Sequence, residues 1–476
     1  MGAEAYGFVA FFALIQSWFQ LLDLGLSPTL ARETARYAGG ATDAMSLRSL
    51  LRVMELIFSG AAILGGASIM LASRFIAYHW LKIEHLQVNE VRNAIFLIAA
   101  VVSLRLVSGL YRGSITGFER MVWLGGFNSA VATARFLLIF LVFKLIGTSL
   151  LIFFEYQLLI AVIEILVLAR KSYSLMPDME IDVPKKLLGF SALRSRLTFS
   201  LSLAFVGIVW IFVTQADKLV MSRLLVLKDF GYFSIAVLVA SGVMVIGYPI
   251  GGALMPRLTK LNAELKEPEL IDLYRNSTQL VALTAIPAAM VLGLFSRQVL
   301  YVWTGNMEIA MKAGPTLTLY AFGNAFVALG AFPYYLQFAK GDLKLHVIGN
   351  AAYLFLLIPT LVWSVRHFGT LGAGWTWLSL NAITFLFWVP VVHRRLSHGL
   401  HIVWLLHDIL PILVFTLTSA ALASYFLPWQ QERLRGLALI GGLSITLMTI
   451  ATLASSWGRS IVLITWKKFH QFEGSV

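Results

Sequence analysis

The chain is a succession of long apolar runs separated by short polar segments. An apolar run of about 18 or more residues is long enough to cross a bilayer as a helix, and backbone exposed to lipid must satisfy its own hydrogen bonds. The strict alternation of apolar and polar positions that barrel strands need is absent. The pattern predicts thirteen transmembrane helices, at residues 6–25, 53–73, 94–112, 123–145, 150–169, 197–216, 231–254, 278–295, 314–336, 346–364, 369–391, 403–426 and 436–455.

Composition supports this fold class. Hydrophobic residues make up 59% of the chain and charged residues only 13%, whereas a soluble domain carries about 25% charged residues. The predicted fold is therefore an all-α polytopic membrane protein. The chain has no cysteine, which excludes disulfides and thiolate metal sites, and its histidines show no metal-ligand spacing. It also contains no P-loop and no Gly-rich nucleotide fingerprint, so no cofactor and no ATP hydrolysis are expected.

The distribution of basic residues predicts the orientation in the membrane. If the N-terminus lies outside, about 23 of the 37 Lys and Arg residues fall on the inside and about 12 on the outside. The positive-inside rule then predicts an outside N-terminus and an inside C-terminus. The formal net charge of +13 is spread over short loops in this way, and so it is interpreted as a topology signal and not as a nucleic-acid site.

A weak internal repeat suggests two similar halves. Glu4–Phe8 (EAYGF) opens the first span and Lys228–Tyr232 (KDFGY) opens the seventh. Each copy has a polar tip, an aromatic-Gly pair, a long apolar run, a zone of small residues with proline, and then a basic stretch. Parallel repeats of this kind build the two facing halves of transporters. A span precedes the second copy but none precedes the first, so we expect the chain to lack the first of fourteen helices.

Two predicted spans contain an arginine near the middle of the bilayer, namely Arg105 and Arg135. A charged residue there costs about 2.5–3.5 kcal/mol on insertion scales, so it usually faces a cavity or a partner and indicates function. Arg112 shares a helix face with Arg105, and Asn128 stands seven residues before Arg135. One interpretation is a cationic cavity that binds phosphate or pyrophosphate. The alternative is an arginine paired with an intramembrane acid such as Glu164, which would hold helices together.

Acidic residues within the spans are candidates for ion coupling. Glu155 and Glu164 lie in the span 150–169, and Asp23 lies near the inner end of the first span. Intramembrane carboxylates serve as proton or sodium sites in many transporters. The alternative is that each is a counter-ion to an arginine or a residue at the membrane interface.

Several short motifs, taken in order, resemble one family. They are GAEAYGF...LLDLGLSPTLARETARY at 2–37, Tyr111-Arg112-Gly113 with Thr116–Arg120, Gln215–Leu219 with Phe230–Tyr232, and Trp303-Thr304-Gly305. The chain is similar in these segments to the polysaccharide flippases, the oligosaccharide-exporting branch of the superfamily that includes the MATE exporters. The resemblance implies two MATE-like lobes around a central cavity, here an N-terminal lobe at 1–180 that lacks its first helix, a C-terminal lobe at 181–395, and two additional helices with a tail at 396–476.

The resemblance also implies a function. Such a protein flips an oligosaccharide linked to undecaprenyl pyrophosphate from the cytoplasmic to the periplasmic leaflet, for the synthesis of O-antigen, capsule or exopolysaccharide. Arg105 and Arg135 would bind the phosphates, with Arg112 nearer the cytoplasmic mouth. The expected location is the bacterial inner membrane. The implied partners are the lipid-linked oligosaccharide, membrane lipids and the polysaccharide polymerase machinery, with no nucleic acid.

Two other functions fit the sequence less well. A MATE-like, ion-coupled exporter of small organic cations prefers an acidic and aromatic lining, which two buried arginines argue against. A membrane-bound sugar polymerase or ligase would carry its chemistry on a large periplasmic loop, and every predicted outside loop is short. The chain is therefore not expected to be an enzyme.

Overall fold

The computed structural model describes residues 2–40, 43–177, 208–209, 211–245 and 247–461. The chain divides into two compact units, Met1–Gly231 and Tyr232–Val476. Regular structure in the described ranges is helical, apart from an isolated bridge between Lys82 and Val226. The predicted all-α class is confirmed. The predicted boundary at 180 lies outside the described residues, and the division into two lobes with two additional C-terminal helices stays a prediction.

The first unit contains the helices that carry the predicted arginines. Its elements are α1 (Ala3–Phe19) with a 3₁₀ turn (Gln20–Asp23), α2 (Leu26–Ala38), α3 (Ala44–Phe75) with a π-turn (Ile76–Trp80), α4 (Val88–Gly117), α5 (Met121–Phe136), α6 (Leu138–Leu145), α7 (Leu150–Leu175) and α8 (211–224). Helix α9 (Leu227–Ala240) begins in this unit and continues in the second.

The second unit is also built of helices. Its elements are a 3₁₀ turn (Ser241–Met244), α10 (Gly247–Ala263), α11 (Glu267–Leu294), α12 (Ser296–Thr304), α13 (Met307–Lys340), α14 (Lys344–Ile383) with a π-turn (Thr384–Trp388), α15 (Val389–Leu396), α16 (Leu400–Val403) with a π-turn (Trp404–Ile409), α17 (Leu410–Phe426) and α18 (Arg433–Ala454).

Eleven helices of the described residues are long and apolar enough to cross a membrane, so the predicted count of thirteen is not confirmed. One of the eleven, Lys344–Leu396, covers two predicted spans, 346–364 and 369–391. The predicted span 197–216 lies mostly outside the described residues.

The chain reverses direction inside Lys344–Leu396. Gly369 has φ 58°, in the left-handed region that favours glycine. The Ser364 and Thr376 hydroxyls are hydrogen-bonded at 2.7 Å, although residues twelve apart in a straight helix are separated by about 18 Å. This segment is therefore a helical hairpin, as the two predicted spans require.

Helix α4 is the centre of the first unit and packs against α2, α3 and α7. Gly113 and Gly117, one turn apart on α4, allow α2 to approach its backbone. A Cβ atom built on Gly113 would lie 2.4 Å from the carbonyl oxygen of Ser27, and one on Gly117 would lie 2.3 Å from that of Ala31. This contact explains both glycines of the Tyr111–Arg120 motif.

The two copies of the repeat have the same order of elements and cross at matching glycines. In each, a helix (α1 or α9) ends in a 3₁₀ turn and a second helix follows (α2 or α10). A Cβ on Gly7 would lie 2.1 Å from the carbonyl oxygen of Leu227, four residues before Gly231. A Cβ on Gly231 would lie 2.3 Å from that of Ala3, four residues before Gly7. The aromatic-Gly pairs found in the sequence thus form a reciprocal backbone contact.

Segments far apart in sequence are tied together beside this crossing, on the side predicted to face outward. We call 79–85 and 222–227 the outer tie. The Leu227 amide donates to the carbonyl of Lys82 at 2.9 Å, and the Lys82 ammonium donates to the carbonyl of Leu224 at 2.8 Å. The Trp80 indole donates to the Ser222 hydroxyl at 3.2 Å. All of these residues belong to the first unit.

In the second unit, α13 packs against α10, α11, α12 and α14. The span that contains α9 and α10 is interrupted by the 3₁₀ turn, and the Asn324 amide donates at 2.9 Å to the carbonyl of Ala240, where α9 ends. The Asn324 carbonyl in turn accepts from the Trp377 indole at 3.0 Å. A side chain thus replaces a backbone partner that the broken helix lacks, as burial in a membrane protein requires.

The last two helices are fixed to α11 by a buried polar network. Asp408, with no exposed surface, accepts from Arg275 at 2.7 and 3.0 Å and from the Gln279 amide at 2.8 Å. Gln279 also accepts from the Ser455 hydroxyl at 2.6 Å and the Trp457 amide at 3.0 Å. Because the carboxylate is paired and hydrogen-bonded, its burial is tolerated.

Candidate functional site

Four helices of the first unit bring a set of polar and charged side chains together within the membrane-spanning region. We call this set the arginine cluster. Its members are Gln16 on α1, Arg105 and Arg112 on α4, Asn128 and Arg135 on α5, and Gln157 and Glu164 on α7. The spacing of seven residues on α4 and on α7 places each pair on one face of its helix, and the close packing of α4 and α7 brings those faces together.

One carboxylate serves two of the three arginines. Arg112 donates to one oxygen of Glu164 and Arg135 to the other. The Glu164 side chain is only 3% exposed. Arg112 also donates to the Asn128 side-chain oxygen. The pairing that the sequence left open as an alternative is thus present for Arg112 and Arg135.

Arg105 is held differently, by neutral groups. Its guanidinium donates to the amide oxygen of Gln16 and, at 2.8 Å, to that of Gln157. It also lies over the Phe12 ring, 5.2 Å from the centroid, where a cation is attracted to the ring face. An amide accepts a hydrogen bond without neutralising the charge, so Arg105 keeps its full positive charge.

The cluster carries excess positive charge and unused donors. Three guanidinium groups and one carboxylate give a formal charge of +2. The Nε atoms of Arg105 and Arg135 are buried and have no hydrogen-bond partner in the part of the chain that the structure describes. Buried donors of this kind are costly, and an anion would satisfy them.

Arg135 lies beside a break at Leu137 between two helices of one membrane span. Helix α5 ends at Phe136 and α6 begins at Leu138, which frees backbone carbonyls at the break. The Tyr156 hydroxyl donates to the carbonyl of Ala134 at 2.8 Å, and the Gln157 amide donates to that of Arg135 at 3.5 Å. Broken helices whose backbone is satisfied by neighbouring side chains are typical of transporter binding sites.

The structure also shows what surrounds the other predicted ion-coupling residues. Asp23 accepts from the amide and the hydroxyl of Ser27, both at 2.9 Å, and so stabilises the first turn of α2. Glu155 is exposed and stands nine residues before Glu164, on the opposite face of α7. Of the three candidates, Glu164 is the one that pairs with arginines of the cluster. Within the described residues no group of three or more His, Asp or Glu side chains could hold a metal ion.

Sequence reasoning missed Gln16 and Gln157, which hold Arg105. Both are uncharged residues inside apolar runs, and a single amide is tolerated in a transmembrane helix because it finds a partner there. An isolated amide in an apolar run therefore gives no sequence signal that it holds an arginine.

The fold is that of a polytopic, all-helical membrane protein, and residues 1–262 match the family described as polysaccharide biosynthesis protein. The chain belongs to that family. No curated protein matches it in sequence.

Solved transporter structures share the fold. The lipid II flippase MurJ, in an inward closed conformation, has a TM-score of 0.68 at 13% identity, with 94% of this chain and 92% of that chain covered. An inward-facing multidrug resistance MATE transporter of the MOP superfamily has a TM-score of 0.63 at 15% identity, with 84% and 92% covered. At these identities the likeness establishes the fold and not the substrate.

Proposed function

We propose that this protein flips a lipid-linked oligosaccharide, carried on undecaprenyl pyrophosphate, from the cytoplasmic to the periplasmic leaflet of a bacterial inner membrane. The arginine cluster is the observation that carries the proposal. A formal charge of +2 inside membrane-spanning helices is costly unless an anion compensates it. The family, described as polysaccharide biosynthesis protein, supports a saccharide substrate, and the fold is one that a lipid II flippase also has.

The cluster would bind the pyrophosphate while the polyprenyl tail stays in lipid. Arg105 is the most available group, because its partners Gln16 and Gln157 are neutral. Arg135 and Arg112 would give up some of their hydrogen bonds to Glu164 and donate to phosphate oxygens instead. Charge-assisted hydrogen bonds between guanidinium and phosphate are about twice as strong as neutral ones and fix orientation. Alternating access would then release the lipid on the other side.

Glu164 is the ion-coupling candidate that this proposal retains. Its carboxylate is ion-paired with Arg112 and Arg135, so proton exchange on Glu164 would require these two ion pairs to break. A phosphate group provides the competing partner that draws the arginines away. Glu155 is exposed and Asp23 accepts from Ser27, so neither is proposed to couple ion movement to the substrate.

The test is rescue of a deletion strain, read out as surface polysaccharide and as lipid-linked sugars trapped in the inner leaflet. Arg105→Ala and Arg135→Ala should each fail to rescue, because the loss of one charged hydrogen bond costs about 1.5–3 kcal/mol, or roughly tenfold to a hundredfold in affinity. Arg74→Ala is the matched control, since Arg74 is exposed at the end of α3.

Full rescue by both cluster variants at wild-type protein levels would remove their assigned role. If deletion instead leaves lipid-linked sugars unchanged but sensitises cells to organic cations, the protein is an exporter of the MATE kind.

A further inference from the structure

The partners of the three arginines differ in a way that fixes the charge of the cluster. Arg112 and Arg135 share a single carboxylate, that of Glu164, whereas Arg105 is held by two amides. A glutamate at position 16 or 157 could accept the same hydrogen bond from Arg105. Either replacement would lower the formal charge of the cluster from +2 to +1 without removing an arginine.

Gln157 does something that a carboxylate cannot do. Its amide oxygen accepts from Arg105 at 2.8 Å, and its amide nitrogen donates to the backbone carbonyl of Arg135 at 3.5 Å. A glutamine has both a donor and an acceptor, whereas an ionised glutamate only accepts. Gln157 is also 2% exposed. It therefore links the α4 arginine to the backbone at the break between α5 and α6 and sets the spacing between Arg105 and Arg135.

The charge matters because anionic lipids are abundant around any bacterial transporter. A phospholipid headgroup that is a phosphate diester carries one negative charge. A pyrophosphate diester, in which a lipid and a sugar are the two substituents, carries two negative charges, one on each phosphate. Charge separation in a low dielectric is expensive, so a site of +2 favours the dianion over the monoanion.

We propose that Gln16 and Gln157 are positioning residues that keep the arginine cluster at +2, and that this charge selects a pyrophosphate-linked lipid over a lipid with a single phosphate diester. The inference rests on the proposed function and deepens it, because it names the property by which the site rejects ordinary membrane lipid.

The experiment measures binding of two synthetic probes to the purified full-length protein in nanodiscs of zwitterionic lipid. The probes are farnesyl methyl pyrophosphate diester and farnesyl methyl phosphate diester, which differ in one phosphate and one charge. The wild-type protein should bind the pyrophosphate probe at least tenfold more tightly. Gln157→Glu and Gln16→Glu should each weaken binding of that probe about tenfold and change binding of the phosphate probe much less.

Two further variants separate charge from packing. Gln157→Leu removes the hydrogen bonds without adding charge, and it should weaken binding of both probes and keep their ratio. Gln87→Glu makes the same charge change at an exposed position before α4 and should change neither. Size-exclusion profiles and melting temperatures establish that each variant is folded. If Gln157→Glu does not fold, the comparison of the two probes is made with Gln16→Glu.

The inference would be overturned if both Glu variants kept the wild-type ratio of affinities for the two probes. It would also be overturned if the wild-type protein bound the two probes equally. The proposed function is judged separately, by flipping of lipid-linked oligosaccharide in the deletion strain. A protein that flips without charge selection contradicts this inference alone. A protein that selects by charge but flips no such lipid contradicts the proposed function alone.

Discussion

At the scale of the residue, the site is defined by which group neutralises which arginine. Sequence reasoning could identify Arg105 and Arg135, because a guanidinium inside an apolar run is conspicuous and costly. It could not decide which arginines pair with Glu164, since that depends on contacts between different helices: Arg135 and Arg112 stand 29 and 52 residues from Glu164 in sequence. Nor could it identify Gln157, because an isolated amide in an apolar run is not unusual.

Removal of the shared carboxylate should destabilise the protein. Glu164→Ala leaves Arg112 and Arg135 without their common partner, and breaking a buried ion pair on one side costs about 3–5 kcal/mol. The measurement is the free energy of unfolding or the melting temperature in detergent. Glu155→Ala is the control on the same helix, where an exposed side chain should change stability by less than about 0.5 kcal/mol. Equal melting temperatures for the two variants would contradict the ion pairs.

At the scale of the element, the informative features are helices that stop and helices that approach closely. The reversal near Gly369 was predictable, because polar residues and a glycine separate two apolar runs there. The break between α5 and α6 was not predictable, because Leu137 lies in an uninterrupted apolar stretch without proline or glycine. Its carbonyls accept hydrogen bonds from the side chains of Tyr156 and Gln157 on another helix, and the sequence does not show that these side chains lie beside it.

The crossing of α1 and α9 should not tolerate a side chain. In Gly7→Ala the new Cβ would lie 2.1 Å from the Leu227 carbonyl oxygen, so the two backbones must separate, and overpacking of this kind costs about 1–3 kcal/mol. Gly60→Ala on α3 is the matched control, because nothing lies within 4 Å of its Cβ position. Thermal unfolding should show a lower melting temperature for Gly7→Ala only. A melting temperature equal to that of the control would show that the crossing is loose.

The outer tie should be closed in one state of the transport cycle and open in another. Lys82 and Val226 form a bridge pair, and paired strands are about 4.8 Å apart, which suits a disulfide. In the double variant Lys82→Cys/Val226→Cys, oxidation should block flipping and a reductant should restore it, because the segments could no longer separate. The chain has no cysteine of its own, so each single variant is a clean control. Undiminished flipping by fully cross-linked protein would contradict a moving tie.

At the scale of the whole molecule, the class of the fold was predictable, and the count of thirteen spans stays a prediction. Continuous apolar runs lead directly to an all-α membrane protein, since lipid admits few alternatives. The count depends on where the chain turns. Lys344–Leu396 is one helical segment by its bounds, but the reversal at Gly369 divides it into the two spans that the sequence predicts.

The orientation can be tested with single cysteines. The excess of Lys and Arg predicts that Gln431 lies outside and His398 inside, and both are exposed. In intact cells, a membrane-impermeant maleimide should label Gln431→Cys and should label His398→Cys only after the membrane is permeabilised. The reverse pattern would invert the predicted direction of transport.

The reciprocal crossing of Gly7 and Gly231 has one more consequence. The carbonyl oxygen that lies against each glycine belongs to the residue four positions before the other glycine. Such a reciprocal contact is typical of isologous dimer interfaces, but here both sides belong to one polypeptide. A side chain gained at either glycine would press on the backbone that carries the other, so the two positions constrain each other. This mutual constraint accounts for an aromatic-Gly pair in both copies of a repeat that is otherwise weak in sequence.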